Sequence, residues 1–244
     1  MTKLIYILLF IATTNLYSQG FDWQISPRYP IEMPNYFFGI GLDYSFSENN
    51  GKFNLIENKI PCCQFNSGNG NRYSLALYYE NWLNGTNSYN ISVSYNYLAS
   101  KFEIQDNLPT REGEFKTMYS LESKMSFVGI NGFYKIRVPK YGINFSTGLN
   151  LLFNISSTQI HKEYAISNNV PFKERTLSNG QIESTSLVVV EPFVQVGADI
   201  DLGIGMYASP NIKLGYSLNS YLTNDSWRSL IIGFNLRIYR SFDF

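Results

Sequence analysis

A strict alternation of apolar and polar residues is the feature that most constrains the fold of this chain. In residues 88–97, large apolar side chains occupy every second position, with serine or asparagine between them. Successive side chains of a β-strand point to opposite faces, so a period of two predicts a strand with one apolar face. Residues 36–47 and 230–239 repeat the pattern. The chain is therefore predicted to be built mainly from strands.

Five further segments show the same period less regularly. They are residues 71–82, 124–138, 142–156, 187–201 and 211–220. In the second of these, Phe127 and Phe133 fall on the otherwise polar face. Residues 187–201 contain Pro192, which cannot donate to a strand ladder and therefore predicts a bulge. The total of eight strands is even, as a closed bacterial barrel requires.

The apolar stripe of these strands has two interpretations. It is either the core of a water-soluble sandwich or the lipid-facing surface of a closed barrel. Aromatic residues make up 16% of the chain, a surplus that a sandwich does not need. The predicted connections also alternate in length. Short links at 84–87, at 139–141 and near Pro210 alternate with longer ones at 48–70, 101–123, 157–186 and 221–226. This sorting favours an all-β, closed antiparallel transmembrane β-barrel with long extracellular loops and short periplasmic turns.

The face opposite the apolar stripe carries charged residues of both signs. In hydrocarbon every backbone N–H and C=O must be paired within the protein, so a lipid-facing sheet has to close on itself. An eight-stranded barrel has an interior just wide enough to be filled by side chains. We therefore expect a lumen plugged by mutually paired charges, contributed by Asp43, Arg72, Glu80, Lys135, Glu191, Asp199, Lys213 and Arg237.

The N-terminal residues have the pattern of a secretory signal peptide. Lys3 precedes the short apolar run 4–12, and Ser18 before Gln19 is a plausible cleavage point. The predicted organisation is a signal peptide at 1–18, a periplasmic N-terminal segment at 19–35 and the barrel at 36–244. Export together with a barrel predicts location in the outer membrane, among its lipid and lipopolysaccharide. The formal net charge of zero gives no nucleic-acid footprint.

The end of the chain resembles a known signature. Gly233, Leu236 and Ile238, followed by the terminal Phe244, are similar to the C-terminal strand of outer-membrane barrels. Ile231 stands where that signature usually has a polar residue. The resemblance implies that the barrel assembly machinery recognises this end during biogenesis. The layout as a whole resembles small eight-stranded barrels of the OmpX, OmpA-barrel and PorT-like kind, which share a fold and differ in activity.

Few residues suggest chemistry. Cys62 and Cys63 are adjacent in the first predicted loop. They are either a redox-sensitive or rigid element closed by a vicinal disulfide, or a conformational device with free thiols. His161 is the only histidine, so a metal site would lack further histidine ligands. No motif places a serine beside His161, as a serine hydrolase would need. We therefore expect no cofactor and no catalysis. A lipid A-modifying barrel enzyme remains a less favoured alternative.

The predicted loops give the better functional indication. Residues 158–167 stay β-prone but lose the apolar stripe, which predicts a hairpin extending beyond the membrane with an exposed edge. Such an edge can pair with a strand of a protein partner, although a disordered loop is the equal alternative. The leading hypothesis is a monomeric, non-enzymatic barrel that acts through its outer loops in surface interaction, envelope integrity or assembly. A narrow porin-like diffusion channel and a component of a secretion machinery are the alternatives.

Overall fold

The structure, a computed structural model, describes residues 35–57, 60–110, 113–138, 141–166, 173–182, 184–203 and 205–242. The described residues contain no helix long and apolar enough to cross a membrane. They form ten strands: β1 (Tyr36–Glu57), β2 (Ile60–Trp82), β3 (Asn87–Thr110), β4 (Gly113–Val138), β5 (Ile143–Ala165), β6 (Glu174–Gln181), β7 (Val188–Ala198), β8 (Ile200–Gly203), β9 (Met206–Tyr216) and β10 (Ser226–Ser241).

Eight of these strands close into an antiparallel ring. The order is β1, β2, β3, β4, β5, β7, β9 and β10, and the ring closes because β10 pairs with both β9 and β1. The predicted closed barrel is confirmed. The other two strands lie outside the ring, since β6 pairs with β5 and β8 pairs with β9.

The strands are staggered around the ring, which tilts them against the barrel axis. A path that follows the register from Phe37 on β1 returns to β1 at Ser47, ten residues further along the strand. Its intermediate partners are Glu80, Asn90, Phe133, Gly148, Phe193, Gly215 and Ile231. A side chain on one strand therefore lies level with residues well removed from its register partners on distant strands.

Two of the predicted long loops are wrong. Residues 48–70 belong largely to paired strands, because β1 runs to Glu57 and β2 begins at Ile60. Residues 101–123 likewise form the paired ends of β3 and β4, with Thr110 opposite Gly113. The outward apolar stripe ends at the edge of the lipid-facing belt, whereas the strand pairing continues beyond it. We call the end of the barrel with these long hairpins the hairpin end.

The opposite end, which we call the turn end, holds the short connections. Asn84 shapes the predicted turn between β2 and β3, where its Oδ1 accepts hydrogen bonds from the backbone N–H groups of Thr86 (2.9 Å) and Asn87 (2.8 Å). The predicted link at 139–141 falls largely outside the described residues. The predicted link that ends near Pro210 is present but shorter, because β8 ends at Gly203 and β9 begins at Met206. The chain turns at Gly203 and Gly205, whose φ angles of 79° and 68° suit glycine.

Residues 187–201 also differ from their prediction as one bulged strand. They divide into β7 and β8, and the β5–β7 register passes from Leu149↔Pro192 to its neighbours without a shift. The predicted bulge is therefore wrong. Pro192 stands one residue beyond the last β7–β9 pair, Phe193 with Gly215, which accounts for a proline being tolerated in the ring.

The outward face of the ring is a continuous belt of exposed apolar side chains. Leu42 is 63% exposed and Leu77 is 66% exposed, and similar residues line every ring strand. Tyrosines and phenylalanines occur towards both rims, among them Tyr44 and Tyr73 on one side and Phe38 and Tyr79 on the other. A surface of this extent is not stable in water, and it matches the apolar band and aromatic girdles of a transmembrane barrel.

Beyond the belt, at the hairpin end, the large apolar side chains change face and point inward. On β3 the outward Val93 and Tyr95 give way to the inward Leu98 and Phe102, both fully buried. They belong to a cluster that we call the apolar cap: Phe65, Leu98, Phe102, Tyr119, Leu121, Met125, Phe127, Leu152, Val189, Tyr221, Leu222 and Trp227. The cap packs across the lumen above the charged residues.

Candidate functional site

A four-residue ionic cluster fills the lumen near the turn end. The ammonium of Lys135 lies 2.6 Å from Glu80 Oε1 and 3.3 Å from Asp199 Oδ2. Arg137 approaches the same Asp199 oxygen at 3.9 Å. The hydroxyl of Tyr207 contacts both Lys135 Nζ (3.2 Å) and the carboxylate of Glu80. Glu80 lies on β2, Lys135 and Arg137 lie on β4, Asp199 lies between β7 and β8, and Tyr207 lies on β9. The cluster therefore joins strands that are not neighbours in the ring.

A second ionic group lies closer to the hairpin end. Arg72 Nη1 on β2 is 2.9 Å and 2.7 Å from the two carboxylate oxygens of Glu191 on β7. Arg72 Nη2 also donates to the hydroxyl of Tyr221 at 2.7 Å. Arg72 and Glu191 are each 1% exposed. A charged pair buried to this degree is stable only when both partners are present and well hydrogen-bonded.

Two further cations lie between these groups. Lys213 Nζ is 3.7 Å from Asp43 Oδ2. Arg237 donates to Gln195 Oε1, and its guanidinium carbon lies 4.4 Å from the ring centre of Phe133 and 5.1 Å from that of Tyr78. One ion pair and two cation–π contacts thus stabilise the cations in the middle of the lumen.

All eight charged residues predicted to face the lumen lie inside the barrel. Seven of them are buried, and the side chain of Lys213 is 12% exposed. The sequence reasoning missed Arg137, which shares the inward phase of Lys135 on β4 and could have been found from that phase. It also missed that Gln195, Tyr207 and Tyr221 hydrogen-bond to the lumen charges, because the prediction was based on charged side chains.

The described part of the barrel interior is therefore filled, with two ionic groups, aromatic rings and the apolar cap stacked along it. Glycine makes room for this packing at Gly148, where a Cβ atom would lie 2.4 Å from Phe133 Cβ. Within the described ranges, no group of three His, Cys, Asp or Glu side chains could hold a metal ion.

The hairpin end presents a strand outside the ring. β6 pairs with the end of β5 from Thr158↔Gln181 to Tyr164↔Glu174, and no second strand pairs with it among the described residues. Seven of its eight residues are exposed. Leu177, next to a register shift opposite His161, packs against the apolar cap and holds the hairpin to the barrel. The predicted extension beyond residue 158 is thus present on β5, but its hairpin partner is β6 and not an extension of residues 187–201.

His161 lies on this hairpin beside the apolar cap. It is 1% exposed, and its ring centre is 5.9 Å from that of Tyr119 and 6.3 Å from that of Phe65. Burial lowers the pKa of His161 below its ordinary value, and the nearby Glu163 carboxylate opposes that shift. His161 is therefore a buried histidine that packs against aromatic rings.

Other predicted residues occupy less informative positions. The backbone of Cys62 and Cys63 belongs to β2, opposite the end of β1, and their side chains fall outside the described atoms. In β10, Gly233 points inward against Ser45, while Leu236 and Ile238 belong to the outer belt. Phe244, together with the predicted signal peptide and periplasmic segment up to residue 34, lies outside the described residues.

Closed, even-stranded antiparallel barrels with a lipid-facing exterior are proteins of the bacterial outer membrane. This chain is an outer-membrane β-barrel. The closed ring, the exposed belt and the buried charges described above are the features that place it in this class. They also agree with the small-barrel class that the C-terminal pattern resembles.

Comparisons with known proteins find only remote structural similarity. No protein-family model matches the chain, and no curated protein matches it in sequence. Among solved structures, the chain is similar to Neisserial surface protein A, with 11% identity, 84% of this chain and 97% of that chain covered, and a TM-score of 0.37. It is also similar to the outer-membrane protease OmpT from Escherichia coli, with 8% identity, 85% and 97% coverage, and a TM-score of 0.38.

A third similar structure is Ail, the attachment invasion locus protein of Yersinia pestis, in complex with the heparin analogue sucrose octasulfate. It has 10% identity, 83% and 99% coverage, and a TM-score of 0.27. A likeness at this level carries no argument about activity. The fold of this chain rests on its own strand pairing.

Proposed function

We propose that this barrel is a non-enzymatic surface protein that uses its hairpin end to bind a protein partner, while the barrel serves as a membrane anchor. The hairpins are then extracellular and the turn end is periplasmic, as in other barrels with long and short connections on opposite sides. The barrel assembly machinery inserts the chain, and outer-membrane lipid surrounds the belt.

The filled lumen supports an anchoring role for the barrel itself. Lys135 and Arg72 each bridge strands on opposite walls, and the apolar cap lies above both. A diffusion channel needs a water path, whereas opening this lumen would expose several buried charges at once. We therefore assign the activity to the surface beyond the belt.

The observation that carries the proposal is the edge of β6 that no described strand covers. A strand paired on one side presents unpaired N–H and C=O groups on the other, and this edge can accept a strand from another protein. The length of the strand, Glu174–Gln181, is sufficient for such pairing, and its exposed residues are mostly polar. Pairing along an edge supplies backbone hydrogen bonds, and the exposed side chains supply specificity.

A photo-crosslinking amino acid placed at Asn179 in intact cells tests this proposal. Asn179 is exposed and pairs with Ile160 on the β5 side. We expect a discrete protein adduct from Asn179 and none from Leu77, which lies in the lipid-facing belt. No adduct at Asn179, or the same adduct at both positions, would contradict the proposal.

Lysine substitutions provide a second test, because lysine on an edge strand opposes strand addition. The double variant Thr176→Lys and Asn179→Lys should abolish the adduct formed from a crosslinker at Ser178. The control is Thr158→Lys on β5, which is exposed but already paired on both edges, with Lys124 and Gln181. The control should leave the adduct unchanged.

Planar-bilayer recording separates the proposal from the channel alternative. The purified barrel should give no resolvable conductance steps, since the lumen is occupied by the Arg72 and Lys135 groups. Regular steps from pure, folded protein would show instead that the lumen opens.

A further inference from the structure

The outer surface carries a groove that is separate from both the lumen and β6. It has a volume of about 680 Å³ and crosses five neighbouring strands, β10, β1, β2, β3 and β4, at the hairpin-end rim of the belt. Neighbouring strands lie about 4.8 Å apart, so the groove extends roughly 19 Å across them. It is therefore long enough for a headgroup of more than one ring.

The two ends of the groove differ in chemistry. Phe46 on β1 and Ile232 on β10 form its apolar end, where they are register partners and more than half exposed. Lys101 on β3 and Lys124 on β4 line the opposite end. Because the strands are tilted, the apolar end lies within the belt and the lysine end lies above it.

Small side chains make the surface concave between these ends. Asn71 on β2 and Ala99 on β3 are outward register partners, and they lie between the larger Phe46 and Lys124. Asn69 and Asn71 line the groove with amide groups rather than bulk. The depression is thus open to the lipid phase on one side and polar along its middle.

The lysine end is level with the headgroup layer of the membrane. On β3, Tyr97 is the last outward aromatic residue of the belt, and Lys101 follows it by four residues, about 13 Å along the strand. Lys124 stands two residues beyond Ser126 on the neighbouring strand, in register with Ala99. Basic side chains at this depth bind the anionic headgroups of lipids.

We propose that this groove binds one outer-leaflet glycolipid with a phosphorylated sugar headgroup. An acyl chain lies along Phe46 and Ile232, and the phosphate lies between Lys101 and Lys124. The sugar hydroxyls donate hydrogen bonds to Glu48 and exchange them with Asn69, both of which line the groove.

The acidic residues of the groove favour a sugar over a simple anion. Lys101 Nζ is 2.6 Å from Glu103 Oε1, and Glu122 lies opposite Lys101 in the ladder. These carboxylates partly neutralise the lysines, so the site attracts a bare anion weakly. A headgroup that brings both phosphate and hydroxyl groups satisfies the cations and the carboxylates together.

A soluble ligand fits the groove less well than a lipid. The apolar end is continuous with the belt through Phe46 and Ile232, and in the membrane this end faces hydrocarbon. A molecule that fills the whole groove therefore needs an apolar tail and a polar head. The glycolipid site depends on the membrane location and on the extracellular placement of the hairpin end proposed above, and it does not depend on partner binding at β6.

Native mass spectrometry of the purified barrel with lipid A, which is diphosphorylated, tests the proposal. We expect one retained lipid A per barrel and weaker retention of fully dephosphorylated lipid A with the same acyl chains. The double variant Lys101→Gln and Lys124→Gln should weaken lipid A binding by about fivefold per lysine, since each basic residue near an anionic lipid surface contributes about 1 kcal/mol. Equal retention of both lipids, or of phosphatidylethanolamine, would overturn the proposal.

Two controls keep the test specific. The variant Lys52→Gln with Lys116→Gln removes two exposed lysines that do not line the groove, and it should bind lipid A as the parent does. The variant Ala99→Phe fills the middle of the groove and keeps both lysines, so it should lose the lipid. Retained binding in Ala99→Phe would show that the lysines act only as a general surface charge. A gel-shift assay for the heat-resistant folded barrel checks each variant, so a folding failure is distinguished from lost binding.

Discussion

The Arg72–Glu191 pair provides a quantitative test of the filled lumen. The two side chains come from β2 and β7, on opposite walls of the ring, and their charged atoms are 2.7 Å apart. They share no strand and no register partner, so they meet only if the barrel closes with the observed stagger. A double-mutant cycle with Arg72→Met and Glu191→Leu therefore measures a contact that the closed ring alone creates.

The expected magnitudes follow from the burial of both groups. Each single substitution leaves one charge without its partner in the lumen, which destabilises a protein by about 3–5 kcal/mol. Tyr221 remains near either group, but a hydroxyl cannot replace the missing charge. The double variant removes both charges and restores apolar packing, so it should lie within about 2 kcal/mol of the parent. The free energies of the single variants should thus be strongly non-additive.

Urea unfolding of the barrel in phospholipid vesicles, followed by tryptophan fluorescence, gives the four free energies. The surface pair Lys162–Glu174, at 2.9 Å, is the matched control, and its cycle should give a coupling below about 1 kcal/mol. Additive effects at Arg72 and Glu191, or single variants that lose less than about 1 kcal/mol, would refute the closed and filled lumen.

Three smaller predictions concern single positions. Because burial lowers the pKa of His161, the folded state favours its neutral form. Stability is therefore complete above the unfolded pKa of about 6.5 and decreases below it; proteolysis of the hairpin end between about pH 7.5 and pH 5 should show this, and His161→Phe should remove the dependence. Gly148→Ala places a Cβ 2.4 Å from Phe133 Cβ and should destabilise the barrel by about 1–3 kcal/mol in urea, whereas Gly132→Ala, with no atom within 4 Å, should not. Asn84→Ala removes the acceptor for two backbone N–H groups and should lose about 1–2 kcal/mol in the same assay; an unchanged midpoint would contradict the turn's role.

The ring strands were predictable because two solvents act on them at once. A residue such as Leu77 must suit hydrocarbon, and its neighbour Tyr78 must suit a narrow lumen, so the period of two is strong. The same reasoning assigned Glu80 and Lys135 to the interior from their phase alone. It needed no knowledge of which strands are adjacent.

The pairing of the lumen charges was not predictable from phase. Whether Arg72 meets Glu191, Asp43 or Asp199 depends on the stagger with which the ring closes, and that stagger is a property of all eight strands together. Sequence alternation places a residue inside or outside and says nothing about its height relative to a distant strand. The cluster that joins Lys135, Arg137 and Asp199 illustrates this limit.

The strand extensions at the hairpin end were not predicted, for a different reason. Beyond the belt the outward face of the strands contacts water, so the apolar stripe ends. The alternation pattern alone therefore predicted a loop in these segments. The alternation nevertheless continues with its phase reversed, as Leu98 and Phe102 become the apolar residues of β3. A reversal of apolar phase within one strand therefore marks the membrane boundary, and it would have revealed both the long hairpins and the apolar cap.

The ring strands and β6 differ in how strongly the fold constrains their residues, and this difference indicates which of them can provide specificity. A ring residue contributes to the belt or to the filled lumen, so a substitution there disturbs lipid contact or buried charge. Among the described residues, β6 is tied to the rest of the molecule by Leu177, by the ladder with β5 and by ion pairs of Glu174 and Arg175 with β5 side chains. Its remaining side chains are exposed and can vary without loss of the barrel. A surface that can change while its anchor stays fixed is suited to recognition, and β6 is such a surface.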